Sequence, residues 1–167
     1  EFMTSRRFVN LLSFHLLNHD LQPEEFGDGP YRTGGGLVDL EDDDLFELAQ
    51  LLTTKIEQLK PEFDKPEDEL YFNQIAKKFE YDYESLKEDH LKIQRIGATD
   101  YVTVSFESEK AELSAFAASK FSQAFIDYFE SLRTSENEET LKYLGETAKD
   151  KKKILTNKQT ALKKYEK

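Results

Sequence analysis

The sequence predicts an α+β fold, mostly helical, with a small antiparallel β-hairpin packed on helices and leading into a long C-terminal coiled-coil helix. Three observations predict it. Apolar residues recur at three- and four-residue steps through most of the 167 residues. One pair of segments, 91–96 and 101–108, alternates with period two around the turn Gly97-Ala98-Thr99-Asp100. Beyond Arg133 the aromatics thin out and apolar residues fall at seven-residue intervals. The chain accordingly divides into an α/β base domain at 1–132 and the start of a long helix at 133–167.

Taken in order, residues 4–21 carry Phe8, Leu11, Leu12, His15, Leu16 and His19 at helical spacing, with Thr4 or Ser5 as N-cap. Residues 22–36, rich in Pro, Gly and acids, read as a surface loop. A second helix starts at Asp42, Asp43 and Asp44, where carboxylates favour the positive end of the helix dipole. Its stripe is Leu45, Leu48, Ala49, Leu52, Ile56 and Leu59, and Lys60-Pro61 ends it. Pro66 suits the first turn of a third helix carrying Leu70, Ile75 and Phe79, and a short helix or turn at 83–89 leads to the hairpin. In the second strand Val102, Val104 and Phe106 share one face, and Tyr101, Thr103, Ser105 and Glu107 the other. The next helix has the strongest stripe in the chain: Leu113, Phe116, Ala117, Phe121, Ala124, Phe125, Tyr128 and Leu132. Strand face and helix face are expected to pack as a β-β-α core. Finally Leu141, Ala148, Leu155 and Leu162 form one line of a heptad seam, and Leu144, Lys151, Lys158 and Tyr165 the other. Two lysines weaken that second line. The segment reads either as a coiled-coil stub needing a partner strand or as a surface helix folded back on the domain.

Composition narrows the function. Acidic residues number 34 against 23 basic ones, a net charge of −11, which disfavours nucleic acid or an anionic membrane surface as partner. Phe and Tyr total 21, too many for a solvated disordered chain, and the absence of Cys removes disulfides, Cys-ligated zinc and thiol chemistry together. No run of about 18 apolar residues or signal-peptide pattern occurs. Glu1-Phe2 before Met3 reads as a cloning scar, and a helical pattern running uncapped to Lys167 reads as an excised fragment. A lone two-stranded hairpin is marginal, so an exposed strand edge is expected.

No motif points to catalysis, a cofactor or a metal. His15 and His19 stand one helical turn apart, but HLLNH lacks the zinc-protease glutamate and a third ligand, and partly buried helix histidines are the better reading. Gly34-Gly35-Gly36 has no Lys-Ser/Thr after it and no strand before it, unlike a phosphate loop. The acidic runs EDDD (41–44) and PEDE (66–69) lack calcium-loop spacing and sit at helix starts. Ser105 and Ser108 have no nucleophile-elbow context. The stripe Phe116, Phe121, Phe125 and Tyr128 reads as core rather than a ligand groove; Tyr71 and Tyr101, if exposed, could stack on sugar rings.

Residues 95–133, RIGATDYVTVSFESEKAELSAFAASKFSQAFIDYFESLR, resemble the second half of the chain-length determinant domain, the Wzz-type polysaccharide co-polymerase family. A strand of the "isvsfes" type steps through acidic residues into an Ala- and Phe-rich long helix. The N-terminal MTSRRFVNLLSFHLLNHDL and the segment YDYESLKEDHLKIQRI continue the pattern. Ala111 stands where the family often has Pro, and Ser119 where it often has Asn; residues 22–88 are longer than in small chain-length regulators. The resemblance implies the periplasmic portion of a bacterial inner-membrane protein that is membrane-anchored through two spans and non-catalytic. It implies self-association into a ring-like homo-oligomer beside the polysaccharide polymerase or export machinery, control of O-antigen, capsule or exopolysaccharide chain length or export, and possible contact with the polysaccharide itself. Some such parents add a cytoplasmic tyrosine kinase domain, of which nothing is present here. Two other readings stay open: a helical scaffold or adaptor recruiting a protein partner through the coiled-coil stub, and a carbohydrate-active enzyme using a carboxylate pair.

Overall fold

The computed structural model describes residues 5–22, 24, 29–32, 42–99 and 101–165. Its elements are α1 (Arg6–Leu21), α2 (Asp42–Glu57), α3 (Pro66–Lys78), the one-turn α4 (Tyr83–Ser85) running into a π-helical turn (Leu86–His90), β1 (Leu91–Arg95), β2 (Val102–Phe106) and α5 (Ala111–Tyr165). The architecture is α+β and mostly helical, with a two-stranded antiparallel sheet and a C-terminal helix of 55 residues. The chain forms two compact units, Glu1–Asp127 and Tyr128–Lys167.

Helix α1 is the hub of the first unit. Phe8, Val9, Leu11, Leu12, Phe14, Leu16 and Leu17 are all buried, and so are the polar Ser13, Asn18, His19 and Asp20. A helix that is apolar all round cannot sit on a surface; it must be covered from several sides. One side is covered by α2 through Leu48, Ala49 and Leu52. Phe14 meets Phe72 of α3 edge-on at 4.9 Å and Phe63 at 5.3 Å. Phe8 meets Phe121 and Phe125 of α5 at 6.4 and 5.4 Å. The Phe116–Phe125 stripe therefore belongs to the core, with α1 as its ring partner, where a β-β-α core was expected. Leu132, expected on that stripe, is exposed.

Both middle helices end in the same way. Lys60 N–H reaches Lys55 O and Leu59 N–H reaches Ile56 O, while Tyr81 N–H reaches Ala76 O and Glu80 N–H reaches Lys77 O. Leu59 (φ 50°) and Glu80 (φ 55°) occupy the left-handed position that favours glycine. Thus α2 stops at Glu57 through this bond pair, three residues before Lys60-Pro61. In α3 the buried stripe is Phe72, Ile75, Ala76 and Phe79, and Leu70 is 62 % exposed. Five residues before Ile75 puts Leu70 some 140° around the helix from it, whereas Phe72, three residues before, shares its face.

The hairpin pairs Leu91 with Phe106, Ile93 with Val104 and Arg95 with Val102, so the alternation read from the sequence gives the register. Coverage falls off along it: Leu91 and Phe106 are buried, Ile93 and Val104 partly, and Val102 and Arg95 are exposed. No third strand flanks the pair among the described residues. Gly97, at φ 56°, makes the turn. In the second unit Leu141, Leu144 and Leu155 of the heptad lines are exposed, as are Tyr143 and Ile154. A long helix with such a line is compatible with a coiled coil.

Candidate functional site

A buried polar cluster forms around Asp20, in the last turn of α1. Its side chain is fully buried and accepts from four donors. Oδ1 takes the Tyr31 N–H at 2.8 Å and lies 3.0 Å from His19 Nδ1; Oδ2 takes the Arg32 N–H at 2.9 Å and the Tyr81 hydroxyl at 2.6 Å. A buried carboxylate is tolerable only with such saturation. Burial, followed by the neighbouring Asp20, pushes the Tyr81 phenol far above its ordinary pKa, so it remains a donor. The His19 ring stacks on Tyr31 with centroids 4.1 Å apart and packs on Phe116 at 4.8 Å.

Arg32 extends this network outward. Nη1 donates to the carbonyls of Phe79 (2.9 Å) and Glu80 (3.0 Å) and pairs with the Glu80 carboxylate at 3.2 Å. Nη2 lies 3.1 Å from His90 Nε2, while His90 Nδ1 lies 2.7 Å from the Glu107 carbonyl. A carbonyl can only accept, so Nδ1 carries the proton and the Nε2 lone pair faces the guanidinium. His90 also stacks on Phe106. Residues 29–32, within the expected surface loop, carry no helix or strand, but Asp20 captures two of their backbone N–H groups, and Tyr31 and Arg32 become half-buried connectors between α1, the α3 C-terminus and the hairpin base. Beside them lies a cleft of about 960 Å³, lined by Arg32, His90, Glu107, Lys110 and Leu113 among others. Arg32 and His90 are already occupied within the fold, so what this arrangement does chemically is fasten. Replacing Tyr81 by Phe removes one charge-assisted bond, with an expected loss of about 2 kcal/mol of unfolding free energy in urea titrations.

A second concavity, about 440 Å³, lies between α2 and α3. Leu48 and Leu51 form its apolar floor, with Asp44, Glu47, Glu67 and Asp68 around it. None of these carboxylates forms an ion pair among the described residues. The Tyr71 hydroxyl is shielded there and has no hydrogen-bond partner among the described residues, and desolvation, with Asp44 adding to it, raises its pKa. Both acidic runs thus meet at one groove, which their separate placement at helix starts did not reveal. Glu41 lies outside the described residues.

The other sequence candidates fall as follows. His19 is spent on Asp20 and Tyr31, and His15 sits against the electrostatic field of α5, where burial and Lys120 depress its pKa to about 4. No group of three metal-ligating side chains occurs among the described residues. Gly34, Gly35 and Gly36 lie outside them. Ser105 bonds the Lys92 carbonyl; Ser108 bonds the Lys110 carbonyl and Ser114. Tyr101 is exposed. No described helix is long and apolar enough to cross a membrane. Compared with protein-family models, with curated proteins and with solved structures, the chain matches none.

Proposed function

We propose that this chain is a non-catalytic, periplasmic self-association module of a bacterial inner-membrane protein that regulates polysaccharide chain length or export. The observation that carries the reading is the hairpin-to-helix passage of residues 95–133, where the resemblance lies: a short strand hands over within a few residues to a helix of 55 residues. Exposed leucines on that helix and a hairpin edge with no third strand among the described residues are surfaces a homo-oligomer would use. The polymerase or exporter would be the neighbouring machinery, and the exposed Tyr101 ring is where the polysaccharide itself would stack.

The test pairs two measurements. Sedimentation over a concentration series reads self-association directly. Disrupting the gene in its own host, then sizing the surface polysaccharide on gels, reads chain length; a shifted or collapsed length distribution is expected. An unchanged distribution refutes the polysaccharide role, and a strict monomer, even with the membrane anchors present, refutes the assembly role. A soluble protein captured by the α5 stub in place of a second copy would favour the scaffold reading.

A further inference from the structure

The sequence is electrically divided. Residues 149–167 hold eight lysines against two acids, a net of +6, which leaves −17 on residues 1–148. Within this basic segment Lys151, Ile154, Leu155 and Lys158 stand at i, i+3, i+4 and i+7 of α5 and so share one face. All four are exposed, Ile154 by 49 % and Leu155 by 57 %. The two lysines are those that weaken the heptad seam: facing their own copies across a parallel coiled coil, they would repel. Facing carboxylates, they would do the opposite.

The groove between α2 and α3 has the complementary character. Its floor is leucine, its rim is Asp44, Glu47, Glu67 and Asp68, and its Tyr71 hydroxyl, without a partner among the described residues, could accept from a lysine ammonium. The two lysines lie about 10.5 Å apart along the helix axis and flank the Ile-Leu pair, so they would face the acidic rim while that pair covers Leu48 and Leu51.

We propose that the Lys151–Ile154–Leu155–Lys158 face of one copy docks into the acidic α2–α3 groove of a second copy. This rests on the self-association reading above and names its contact. Groove and helix face are different surfaces, so the contact is heterologous, and repetition closes a ring or extends a filament according to the rotation per copy.

The test uses sedimentation equilibrium of the full chain over a micromolar to millimolar series. Wild type is expected to gain mass with concentration. Lys151→Glu with Lys158→Glu should weaken association at least about tenfold, and Glu47→Lys with Asp68→Lys should do the same. Combining all four substitutions in one chain restores opposite charges at positions 47 and 68, with Asp44 and Glu67 unchanged, and should recover part of the affinity. Wild-type association that is indifferent to both charge reversals, or no recovery in the combined variant, overturns the docking contact and leaves the self-association reading standing. A wild type monomeric throughout overturns the docking contact, and the self-association reading falls with it only if the protein also stays monomeric with its membrane anchors present. A monomer in which each reversal lowers the melting temperature and the combination restores it places the segment in its own chain's groove, which also overturns the second copy as occupant.

Discussion

Replacing Asp20 by Ala is expected to remove about 3–5 kcal/mol of unfolding free energy, the largest single-site effect in the chain. The cost does not come from the carboxylate's own interactions, which merely offset its desolvation. It comes from what is left behind. The Tyr81 hydroxyl, the Tyr31 N–H and the Arg32 N–H would each be stranded inside the fold, at about 1–3 kcal/mol per unsatisfied group before relaxation and water entry. With net stabilities of about 5–15 kcal/mol for ordinary domains, the variant would stand near the folding threshold. Asp20→Asn keeps the shape and one acceptor oxygen but turns an NH2 group toward donors, so an intermediate loss of about 2 kcal/mol is expected. Urea titrations of Asp20→Ala, Tyr81→Phe and the double variant close a cycle, and a coupling of about 1.5–3 kcal/mol is expected between the two side chains. A loss under about 1 kcal/mol for Asp20→Ala would mean the network carries no fastening role.

The same network marks where sequence reading stops. The hairpin could be read because both its signals are local: period-two alternation and a four-residue turn, with the register following from the turn. The aromatic stripe of α5 was equally legible as core, since Phe116, Ala117, Phe121, Ala124 and Phe125 recur at helical spacing. Its partner was not. Pairing Phe121 and Phe125 with Phe8 joins residues more than a hundred positions apart, and no periodicity encodes that. In α1 the signal was present but pointed elsewhere: FVNLLSFHLLNH reads as one apolar stripe if six positions are chosen, and as a helix covered all round if Val9, Phe14 and Leu17 are counted too. Asp20 ending such a run is a charge in a helix that has no wet face, which is the one local hint that a buried polar centre existed. Its donors at 31, 32 and 81 are fixed by tertiary contact alone. The acidic groove was hidden for a related reason: each acidic run is fully explained at its own helix start, and only the tertiary fold brings Asp44 and Glu47 of α2 to the same concavity as Glu67 and Asp68 of α3, over a leucine floor.

Stability is expected to fall by about 3 kcal/mol between pH 6.5 and pH 4 on account of His15 alone. Burial first, then the positive charge of Lys120, lowers its pKa from 6.5 to about 4, and Asp127 opposes them only in part. In the unfolded chain the ring titrates near 6.5, so across this window the unfolded state binds a proton that the folded state refuses. Stability therefore rises with pH: the full contribution of neutral His15 is in place above 6.5, is lost progressively on acidification, and is gone below 4. Asp64 acts in a separate window. Its hydrogen bond to Lys55 at 2.7 Å, with Lys60 beside it, holds its pKa near 2, so what it contributes is present above about 4 and is lost as pH falls toward 2. His15→Gln isolates the first effect, because glutamine keeps a polar side chain of similar length and cannot take the proton. Urea titrations of both proteins at pH 7, 5.5 and 4 should show the variant less stable at pH 7 by about 1 kcal/mol, level near pH 5.5 and more stable by about 2 kcal/mol at pH 4. Parallel pH profiles for the two proteins would show that His15 takes up its proton without leaving the shelter of α1 and α5, and the linkage would be lost.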